Sequence, residues 1–143
     1  MQLEWKDSLE GDHWQELSDL YRIAPLGDKT PQDLETAFSY SRYRWFVFES
    51  GVLIGAGRAL ADGVDCSYIC DIAVLPTHQG LGIGRSIVSR LVDLSKGHKK
   101  IILYTAPGKV SFYRSLGFKR MTTAMAIFED QALAIGLGLV DET

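Results

Sequence analysis

The feature that most constrains the fold is a glycine-rich stretch that separates an apolar run from an amphipathic one. Glycine occupies alternate positions from Gly80 to Gly84, so the backbone there can adopt positive φ and approach a ligand closely. The run Asp71 to Leu75 before it predicts a strand, and the residues after Gly82 carry apolar side chains at helical spacing. A strand, a tight turn and a helix must therefore follow one another, with the first helical amides unpaired. Such a helix start binds anions, and we predict one at Gly80 to Arg85.

Other phosphate-binding loops fit this stretch less well. The dinucleotide fingerprint is Gly-x-Gly-x-x-Gly, and the third glycine here, Gly84, comes one place early. A Walker loop ends in Gly-Lys-Ser/Thr, whereas Gly84 is followed by Arg85 and Ser86. A glycine-rich turn without a ligand would explain one or two glycines, but not three beside a helix that lacks a side-chain cap. We therefore predict a phosphate-binding loop of neither of these two kinds.

The size and composition of the chain indicate one globular domain that covers residues 1–143. At 143 residues, folding buries roughly two thirds of the unfolded surface, which suffices for one core. The chain is 46% hydrophobic and 23% charged, as is typical of globular proteins. Its formal charge of −3 argues against a general nucleic-acid binder, since such domains carry a basic face. No run approaches about 20 apolar residues, so no membrane association is predicted.

The cysteines and histidines predict neither a disulfide nor a metal site. Cys66 and Cys70 are four residues apart on a predicted strand, about 13 Å at roughly 3.3 Å per residue, which is too far for a disulfide. The histidines His13, His78 and His98 lack metal-ligand spacing, so no metal is proposed. The N-terminus has neither an apolar signal core nor an Arg-rich transit pattern, so we expect a cytoplasmic location.

Periodicity and turn signals predict the order of the elements. The first helix begins near Asp12, and the second has Thr30 as its N-cap. A hairpin follows, with its turn at Ser50-Gly51. The later elements are a strand over Ser67 to Leu75, a helix from Gly82, a strand over Ile101 to Tyr104, a short helix over Val110 to Leu116 and a last strand over Arg120 to Phe128.

The glycine loop and two flanking motifs resemble the GNAT acetyltransferases. The family's signature Gln/Arg-x-x-Gly-x-Gly/Ala matches Gln79 to Gly84 at every specified position. Ile72 to Pro76 before the loop and Phe112 to Phe118 after it are similar to the family's neighbouring motifs. The chain is thereby identified as a small, bacterial-type, single-domain member. The resemblance implies the GNAT acyl-CoA N-acyltransferase fold, of α/β (α+β) class, in which a mixed, mostly antiparallel sheet flanked by helices opens between the strands ending at Leu75 and beginning at Ile101.

The resemblance also implies how the cosubstrate acetyl-CoA binds. Backbone groups of Ile72, Ala73 and Val74 would bind the pantetheine amides. Lys109 and Phe112 would lie beside the pantetheine or adenosine part. The pyrophosphate would be held by the loop and the first helical turn, which comprise Gln79, Gly80, Leu81, Gly82, Ile83, Gly84, Arg85 and Ser86.

Acetyl transfer to an amine needs groups that stabilise charge and move protons. The thioester oxygen and then the sulfur become negative, and the amide of Val74 would serve the oxygen. The resemblance implies that Tyr113 protonates the coenzyme A thiolate, although on its own an aromatic there would be explained by packing of the short helix. Asp71, an acid in an apolar strand, or a water that it holds would take the proton of the amine. The alternative for Asp71 is a carboxylate that pairs with a neighbouring arginine or caps backbone amides.

The acceptor is predicted to be a small primary amine that attacks acetyl-CoA directly in a ternary complex. The alternatives are a protein or peptide acceptor, or a non-catalytic acyl-CoA-binding sensor on the same fold. A homodimer is a further expectation, with the apolar tail from Ala132 to Val140 as one interface. The acceptor-pocket candidates, which core packing explains equally well, are Tyr21, Arg22, Phe38, Tyr40, Tyr43 and Trp45.

Overall fold

A computed structural model describes all residues of the chain, 1–143, as two compact units. The first unit, Met1–Leu103, contains the sheet, and the second, Tyr104–Thr143, contains two short helices. The strands are β1 Leu3–Lys6, β2 Tyr43–Glu49, β3 Val52–Ala61, β4 Cys66–Val74 and β5 Lys100–Ile102. The helices are α1 His13–Ile23, α2 Pro31–Ser39, α3 Ile83–Leu94, α4 Val110–Ser115 and α5 Gln131–Gly136.

The five strands form one mixed sheet in chain order, β1-β2-β3-β4-β5. The first four strands are antiparallel neighbours, and β5 alone runs parallel to β4. A parallel pair needs a crossover connection, which α3 supplies between β4 and β5. This mostly antiparallel sheet with flanking helices confirms the predicted fold class. The edge strand β1 has no counterpart among the predicted elements.

Local signals set the ends of the early elements largely as predicted. Thr30 Oγ1 accepts a hydrogen bond of 3.1 Å from the amide of Asp33 and so caps α2. Asp12 precedes α1 as predicted, but its side chain makes no capping hydrogen bond. Ser50 and Gly51 have φ of 50° and 79°, so both central residues of the β2–β3 turn are left-handed. Positive φ at both positions is what a type I′ hairpin turn requires.

An aromatic cluster packs α1 and α2 against one face of the sheet. Phe38 of α2 and Phe46 of β2 are fully buried, with ring centroids 5.1 Å apart. Trp14 of α1 meets both rings edge to face, at 6.3 Å and 6.1 Å. Ala56 of β3 and Ala73 of β4 belong to the same cluster, so this face extends across the middle of the sheet. Burial of each large apolar side chain contributes about 1.5–3 kcal/mol.

Helix α3 covers the opposite face of the sheet. Side chains alternate along a strand, so Gly55 and Gly57 face away from the side of Ala56. A Cβ at Gly57 would lie 2.6 Å from Ile72 Cδ1 and 2.7 Å from Ile87 Cγ2. Glycine therefore allows α3 to approach β3 closely, and this packing fixes where the helix begins relative to the end of β4.

The unit Tyr104–Thr143 differs most from the predicted elements. The strand predicted over Arg120 to Phe128 is wrong, because no residue of this range pairs with a strand. The residue types favour extended backbone, but a strand also needs a hydrogen-bonded neighbour, which this segment lacks. The strand predicted over Ile101 to Tyr104 is only partly present, since β5 ends at Ile102. The sole buried residue of the unit is Ala134 in α5.

None of the helices combines the length and the apolar character needed to cross a bilayer.

Candidate active site

A β-bulge in β4 lies at the centre of the candidate site. Ala56 and Arg58 of β3 are two residues apart, but they pair with Ala73 and Cys70 of β4, which are three apart. The extra length of β4 falls at Asp71, whose φ of 57° is left-handed. Such a conformation is strained for a residue other than glycine, and strain of this kind concentrates at functional sites. A bulge also bends its strand, so β4 changes direction at this point.

Three side chains hold the bulge at Asp71. The hydroxyl of Tyr21 donates a hydrogen bond of 2.6 Å to the Asp71 carbonyl oxygen. Arg58 Nε donates to Asp71 Oδ2 at 2.8 Å, and Lys29 Nζ lies 3.8 Å from Oδ1. Burial raises the pKa of Tyr21 well above its ordinary value, so this hydroxyl remains a donor at neutral pH. The structure thus contains the arginine-paired carboxylate that was the alternative for Asp71.

Cys70 precedes the bulge and is a half-buried, free cysteine, as is Cys66. Burial raises the pKa of the Cys70 thiol to about 11. The thiol is therefore neutral at physiological pH, and a neutral thiol is a poor nucleophile. Cys70 is accordingly a packing residue in this site.

The end of β4 has an open edge. β5 pairs only with the first three residues of β4, so the rest of that edge has no neighbouring strand. The amide of Leu75 donates to the Ile54 carbonyl at 2.8 Å and so points towards β3. Backbone groups alternate in direction along a strand, so Ala73 also faces β3, while Ile72 and Val74 face the open edge. The predicted opening between β4 and β5 is present, and Ile72 and Val74 provide its backbone groups.

The loop after β4 turns on two left-handed glycines. Gly80 and Gly82 have φ of 79° and 83°, and a Cβ on either would find no heavy atom within 4 Å. The space in front of the loop is therefore open. Gln79 Nε2 donates to the Val74 carbonyl at 3.1 Å and ties the loop to the end of β4.

A second contact, made by the neighbouring His78, ties the loop to β2. His78 Nε2 lies 2.9 Å from Glu49 Oε1 at the end of β2, and its Nδ1 lies 2.8 Å from Thr77 Oγ1. Two adjacent residues, His78 and Gln79, therefore tie the loop to β2 and to β4 before α3 begins. No three His, Cys, Asp or Glu side chains are grouped so that they could hold a metal ion.

Helix α3 begins without a side-chain cap. Gly82 is its N-cap residue, and the amide of Ser86 makes a hydrogen bond of 3.0 Å to the Gly82 carbonyl. The amides of Ile83 and Gly84 precede this bond and have no helical carbonyl to pair with. An anion in front of these amides would satisfy them and would also meet the positive end of the helix dipole. Arg85 lies in the same helical turn. Because the amide of Ser86 already donates to the Gly82 carbonyl, only the hydroxyl of Ser86 remains available to a ligand.

Tyr113, Phe112 and Lys109 lie in the second unit, around α4. The Tyr113 ring is edge-on to Phe112 at 5.0 Å and to Phe118 at 5.9 Å. The Tyr113 phenol is protonated at neutral pH, as in an ordinary tyrosine, and burial raises its pKa further. Lys109 is exposed just before the helix. The roles predicted for these three residues remain predictions.

The acceptor-pocket candidates fall into two groups. Tyr21 and Phe38 are fully buried in the core, so for them the core-packing alternative is right. Trp45 also packs against another side chain, because its ring meets that of Trp5 edge to face with the centroids 5.9 Å apart. Tyr40, in contrast, is 82% exposed.

Sequence reasoning missed Arg58 and Lys29. Arg58 is a charged residue among the small and apolar residues of β3. Asp71 is likewise a charged residue within an apolar part of β4. Two opposite charges in adjacent apolar strands indicate a pair, because each would otherwise be buried alone. Lys29 lies in the loop between α1 and α2 and gives no comparable signal.

Together these features define a class of protein. A bulged strand with an open edge, followed by a left-handed glycine loop and an uncapped helix, occurs here in a mixed sheet flanked by helices. This is the acyl-CoA N-acyltransferase fold.

The chain belongs to the acetyltransferase (GNAT) family, which it matches over residues 9–118. It is 35% identical over 108 residues to serotonin N-acetyltransferase 2, chloroplastic, of Oryza sativa subsp. japonica, a match that covers 71% of this chain and 54% of that protein. It is 31% identical over 113 residues to GCN5-related N-acetyltransferase 1, chloroplastic, of Arabidopsis thaliana, covering 76% of this chain and 57% of that one. The chain thus spans about half the length of these relatives.

Solved structures show the same fold. A Staphylococcus aureus protein described as a probable acetyltransferase superposes with a TM-score of 0.78 at 20% identity, covering 89% of this chain and 98% of that one. At this identity the likeness concerns the fold alone.

Proposed function

We propose that this chain transfers the acetyl group of acetyl-CoA to a primary amine, in a ternary complex of protein, acetyl-CoA and amine. The observation that carries the proposal is that only the glycine loop of residues 75–82 separates the open edge of β4 from the uncapped start of α3. Amide-binding groups and an anion site thereby lie next to each other. Membership of the acetyltransferase family supports the same reaction.

The residues of the first unit fit acetyl-CoA, which supplies the reactive thioester. The backbone groups of Ile72 and the amide of Val74 are available to the pantetheine amides, with Ala73 as the residue between them; the Val74 carbonyl already accepts from Gln79 Nε2. The pyrophosphate fits in front of Ile83 and Gly84, since a Cβ at Gly80 or Gly82 would project into open space there. The remaining proposed contacts with acetyl-CoA are Gln79, Leu81, Arg85, Ser86, Lys109 and Phe112.

Asp71 is the group we propose for removal of the amine proton. Its Oδ2 accepts the hydrogen bond of Arg58, while Oδ1 lies 3.8 Å from Lys29 Nζ and can in addition accept from a water or from the amine itself. The carboxylate is 20% exposed, so solvent reaches it while the bulge fixes its position. A primary amine is protonated near pH 7, so this step must precede attack.

Tyr113 is proposed as the acid that returns a proton to the coenzyme A sulfur. Its phenol is protonated at neutral pH, as that of an ordinary tyrosine is, and burial raises its pKa further. A positioned general acid of this kind typically accelerates a reaction about 10²- to 10⁴-fold.

The proposed acceptor is a small amine. The relative from Oryza sativa is named for serotonin, which is an arylalkylamine. Arylalkylamines are therefore the first class to test, ahead of peptides. We further propose a cytoplasmic location, on the grounds of the two separate thiols.

The test of the proposal is the release of coenzyme A, measured by thiol detection. Acetyl-CoA is incubated with the full chain and with arylalkylamines, polyamines, amino sugars or lysine peptides in turn. Release with one class of amine is expected and names the acceptor. Binding of acetyl-CoA with no release from any amine would favour the sensor alternative, and no binding at all would contradict the open-edge site.

A pair of variants at Gly82 controls for the anion site. Gly82→Asp and Gly82→Asn both place a side chain in the left-handed region, which Asp and Asn tolerate better than other residues. They differ in one negative charge. We expect the Asp variant to lose acetyl-CoA affinity much more than the Asn variant, because its carboxylate repels the pyrophosphate.

A further inference from the structure

A lysine of the chain itself lies beside the carboxylate of the candidate site. Lys29 is in the loop between α1 and α2, and its Nζ is 3.8 Å from Asp71 Oδ1. Arg58 Nε donates to the other oxygen, Oδ2, at 2.8 Å, so Oδ1 is the oxygen proposed to receive an acceptor amine. The Lys29 side chain ends in a primary amine. It therefore occupies the place where the ammonium group of an acceptor would lie.

Helix α1 directs Lys29 to the bulge and also holds the bulge. Ser18 Oγ of α1 donates a hydrogen bond of 2.5 Å to the Lys29 carbonyl, which fixes the backbone of this loop residue. Lys29 Nζ lies 5.9 Å from the centroid of the Tyr21 ring, and the hydroxyl of the same ring donates to the Asp71 carbonyl. The lysine and the carboxylate are thus positioned by the same helix.

The Lys29 ammonium group is held loosely enough to move. At 3.8 Å, the contact between Nζ and Asp71 Oδ1 is longer than a hydrogen bond. The side chain is 32% exposed and has a flexible four-carbon stem. Rotation about its bonds moves Nζ away from the carboxylate without any change in the backbone. Val74, whose amide is proposed for the thioester oxygen, follows Asp71 by three residues in the same strand.

The other lysines lack this arrangement, because Lys29 is the only lysine in an ion pair with Asp71. Three others have side chains that are 46–74% exposed and contact different carboxylates, namely Lys6 with Glu4, Lys96 with Asp93 and Lys100 with Asp65. The remaining three, also exposed, are Lys99, Lys109 and Lys119. Reaction of the chain with acetyl-CoA from solution would follow exposure and would therefore favour these six over Lys29.

We infer that the chain acetylates its own Lys29 when no other amine is bound. This inference rests on the proposed acetyl transfer and names Lys29 as an acceptor for it. Asp71 takes one proton from the ammonium group, and Nζ then attacks the acetyl carbonyl carbon. The new N–C bond replaces the C–S bond. A second proton from the nitrogen ends on the sulfur, so the products are an uncharged amide at Lys29 and the thiol of coenzyme A.

The position of Lys29 makes this reaction a step within one chain. A tethered group meets its partner at an effective concentration on the order of millimolar or more, and good orientation raises this value further. Lys29 should therefore react faster than any lysine that meets acetyl-CoA only by diffusion, although it is less exposed.

The test is acetylation of the full chain by acetyl-CoA with no added amine, followed by mass spectrometry of its peptides. We expect Lys29 to be acetylated at least about tenfold faster than Lys96, whose side chain is 74% exposed. The first-order rate constant should not change with protein concentration. Acetylation of Lys29 no faster than that of Lys96, or a rate constant that rises with protein concentration, would overturn the inference.

Three variants connect the modification to the site. Asp71→Asn should slow acetylation of Lys29 about 10²-fold or more, and Gly82→Asp should slow it through lost acetyl-CoA affinity, while Lys96 in the same samples is unaffected. Lys29→Arg keeps a positive charge beside Asp71 and should reduce coenzyme A release without added amine to background. A wild-type rate at Lys29 in Asp71→Asn would overturn the inference. The comparison of Lys29 with Lys96 in the wild type does not depend on the folding of any variant.

The thiol assay on the same wild-type sample separates this inference from the proposed function. Coenzyme A release with an added amine, together with slow acetylation of Lys29, would overturn the inference and leave acetyl transfer intact. No release with any amine and no acetylation of Lys29 would contradict acetyl transfer itself, and the inference with it.

Discussion

At the scale of single residues, Asp71 combines a strained backbone with a paired side chain. Its left-handed φ is stabilised by hydrogen bonds from Tyr21 to its carbonyl and from Arg58 to its carboxylate. A strained non-glycine residue of this kind costs about 1–3 kcal/mol, which these contacts offset. The same contacts fix Oδ1 in one place, as a proton acceptor requires.

Removal of the Asp71 carboxylate should change the pH dependence of the reaction. In Asp71→Asn we expect kcat/KM at neutral pH to fall about 10²- to 10⁴-fold, because only amine that is already neutral can attack. The rate should then rise about tenfold per pH unit as more amine loses its proton. The measurement is kcat/KM between pH 6 and 9, with Asp93→Asn as the exposed carboxylate control. If kcat/KM of Asp71→Asn changed with pH in parallel with that of the wild type, the role of Asp71 would be limited to holding the bulge.

Tyr113 offers a prediction that separates chemistry from binding. Tyr113→Phe keeps the ring and removes the hydroxyl, so packing against Phe112 and Phe118 is retained. We expect turnover to fall about 10²- to 10⁴-fold, with acetyl-CoA affinity nearly unchanged. Steady-state kinetics and a direct binding measurement together check this. Unchanged turnover would remove Tyr113 as the acid.

The Cys70 thiol should make the free energy of unfolding fall as the pH rises through the alkaline range. Burial raises the pKa of its thiol from 9.0 to about 11, so the unfolded chain loses this proton at lower pH than the folded chain. Its contribution is fully present below pH 9 and is lost as the pH rises through 11, by at most about 3 kcal/mol. The free energy of unfolding, measured with urea between pH 7 and pH 11, should decrease less in Cys70→Ala than in the wild type. The matched variant Cys66→Ala serves as control, and an equal decrease in wild type and Cys70→Ala would contradict the prediction.

At the scale of elements, the position of α3 depends on the glycines of β3. The helix lies close to β3, and the loop of residues 75–82 joins the end of β4 to its first turn. Gly57 makes this possible, since any larger residue would contact Ile72 and Ile87 at less than 3 Å. Core packing and the anion site are thus linked through one small residue.

The corresponding prediction concerns Gly57→Ala. The added methyl forces Ile72, Ile87 or the whole helix to shift, and overpacking of this kind destabilises by about 1–3 kcal/mol. We also expect weaker acetyl-CoA binding, because Ile72 lies at the open edge. Thermal unfolding and acetyl-CoA titration measure the two effects. Gly136→Ala, a position with open space in α5, should be neutral or stabilising, and equal behaviour of the two variants would argue against close packing as the cause.

At the scale of the whole molecule, the two units differ in how much they bury. The unit Met1–Leu103 contains all buried side chains except that of Ala134. The unit Tyr104–Thr143 exposes six large apolar residues, among them Tyr104, Met121 and Leu133. Local stability follows burial and hydrogen bonding, so it should be distributed unequally along the chain.

Hydrogen exchange of the backbone amides tests whether local stability differs along the chain. Amides of β2, β3 and β4 should exchange slowly, because they are in the centre of the sheet. Amides of residues 121–127 should exchange at nearly unprotected rates in dilute solution, since the chain gives them no hydrogen-bond partner. Mass spectrometry of peptic fragments measures both. Strong protection of residues 121–127 at high dilution would contradict the prediction.

The sequence by itself determined the features that follow from local backbone rules. The N-cap at Thr30, the left-handed turn at Ser50 and Gly51 and the glycine loop before α3 all depend on neighbours within a few residues. The family signature in that loop also placed the opening after β4. These features could be predicted because the residues that cause them adjoin one another in the chain.

Only the tertiary structure decided the features that depend on distant residues. The pairing of Arg58 with Asp71 and the burial of Tyr21 and Phe38 require the register of β3 against β4 and the packing of α1 and α2. The stretch from Arg120 to Phe128 has strand-forming residues but no strand, because a strand exists only when another strand pairs with it. Composition sets what a segment can form, and its neighbours in space decide whether it does.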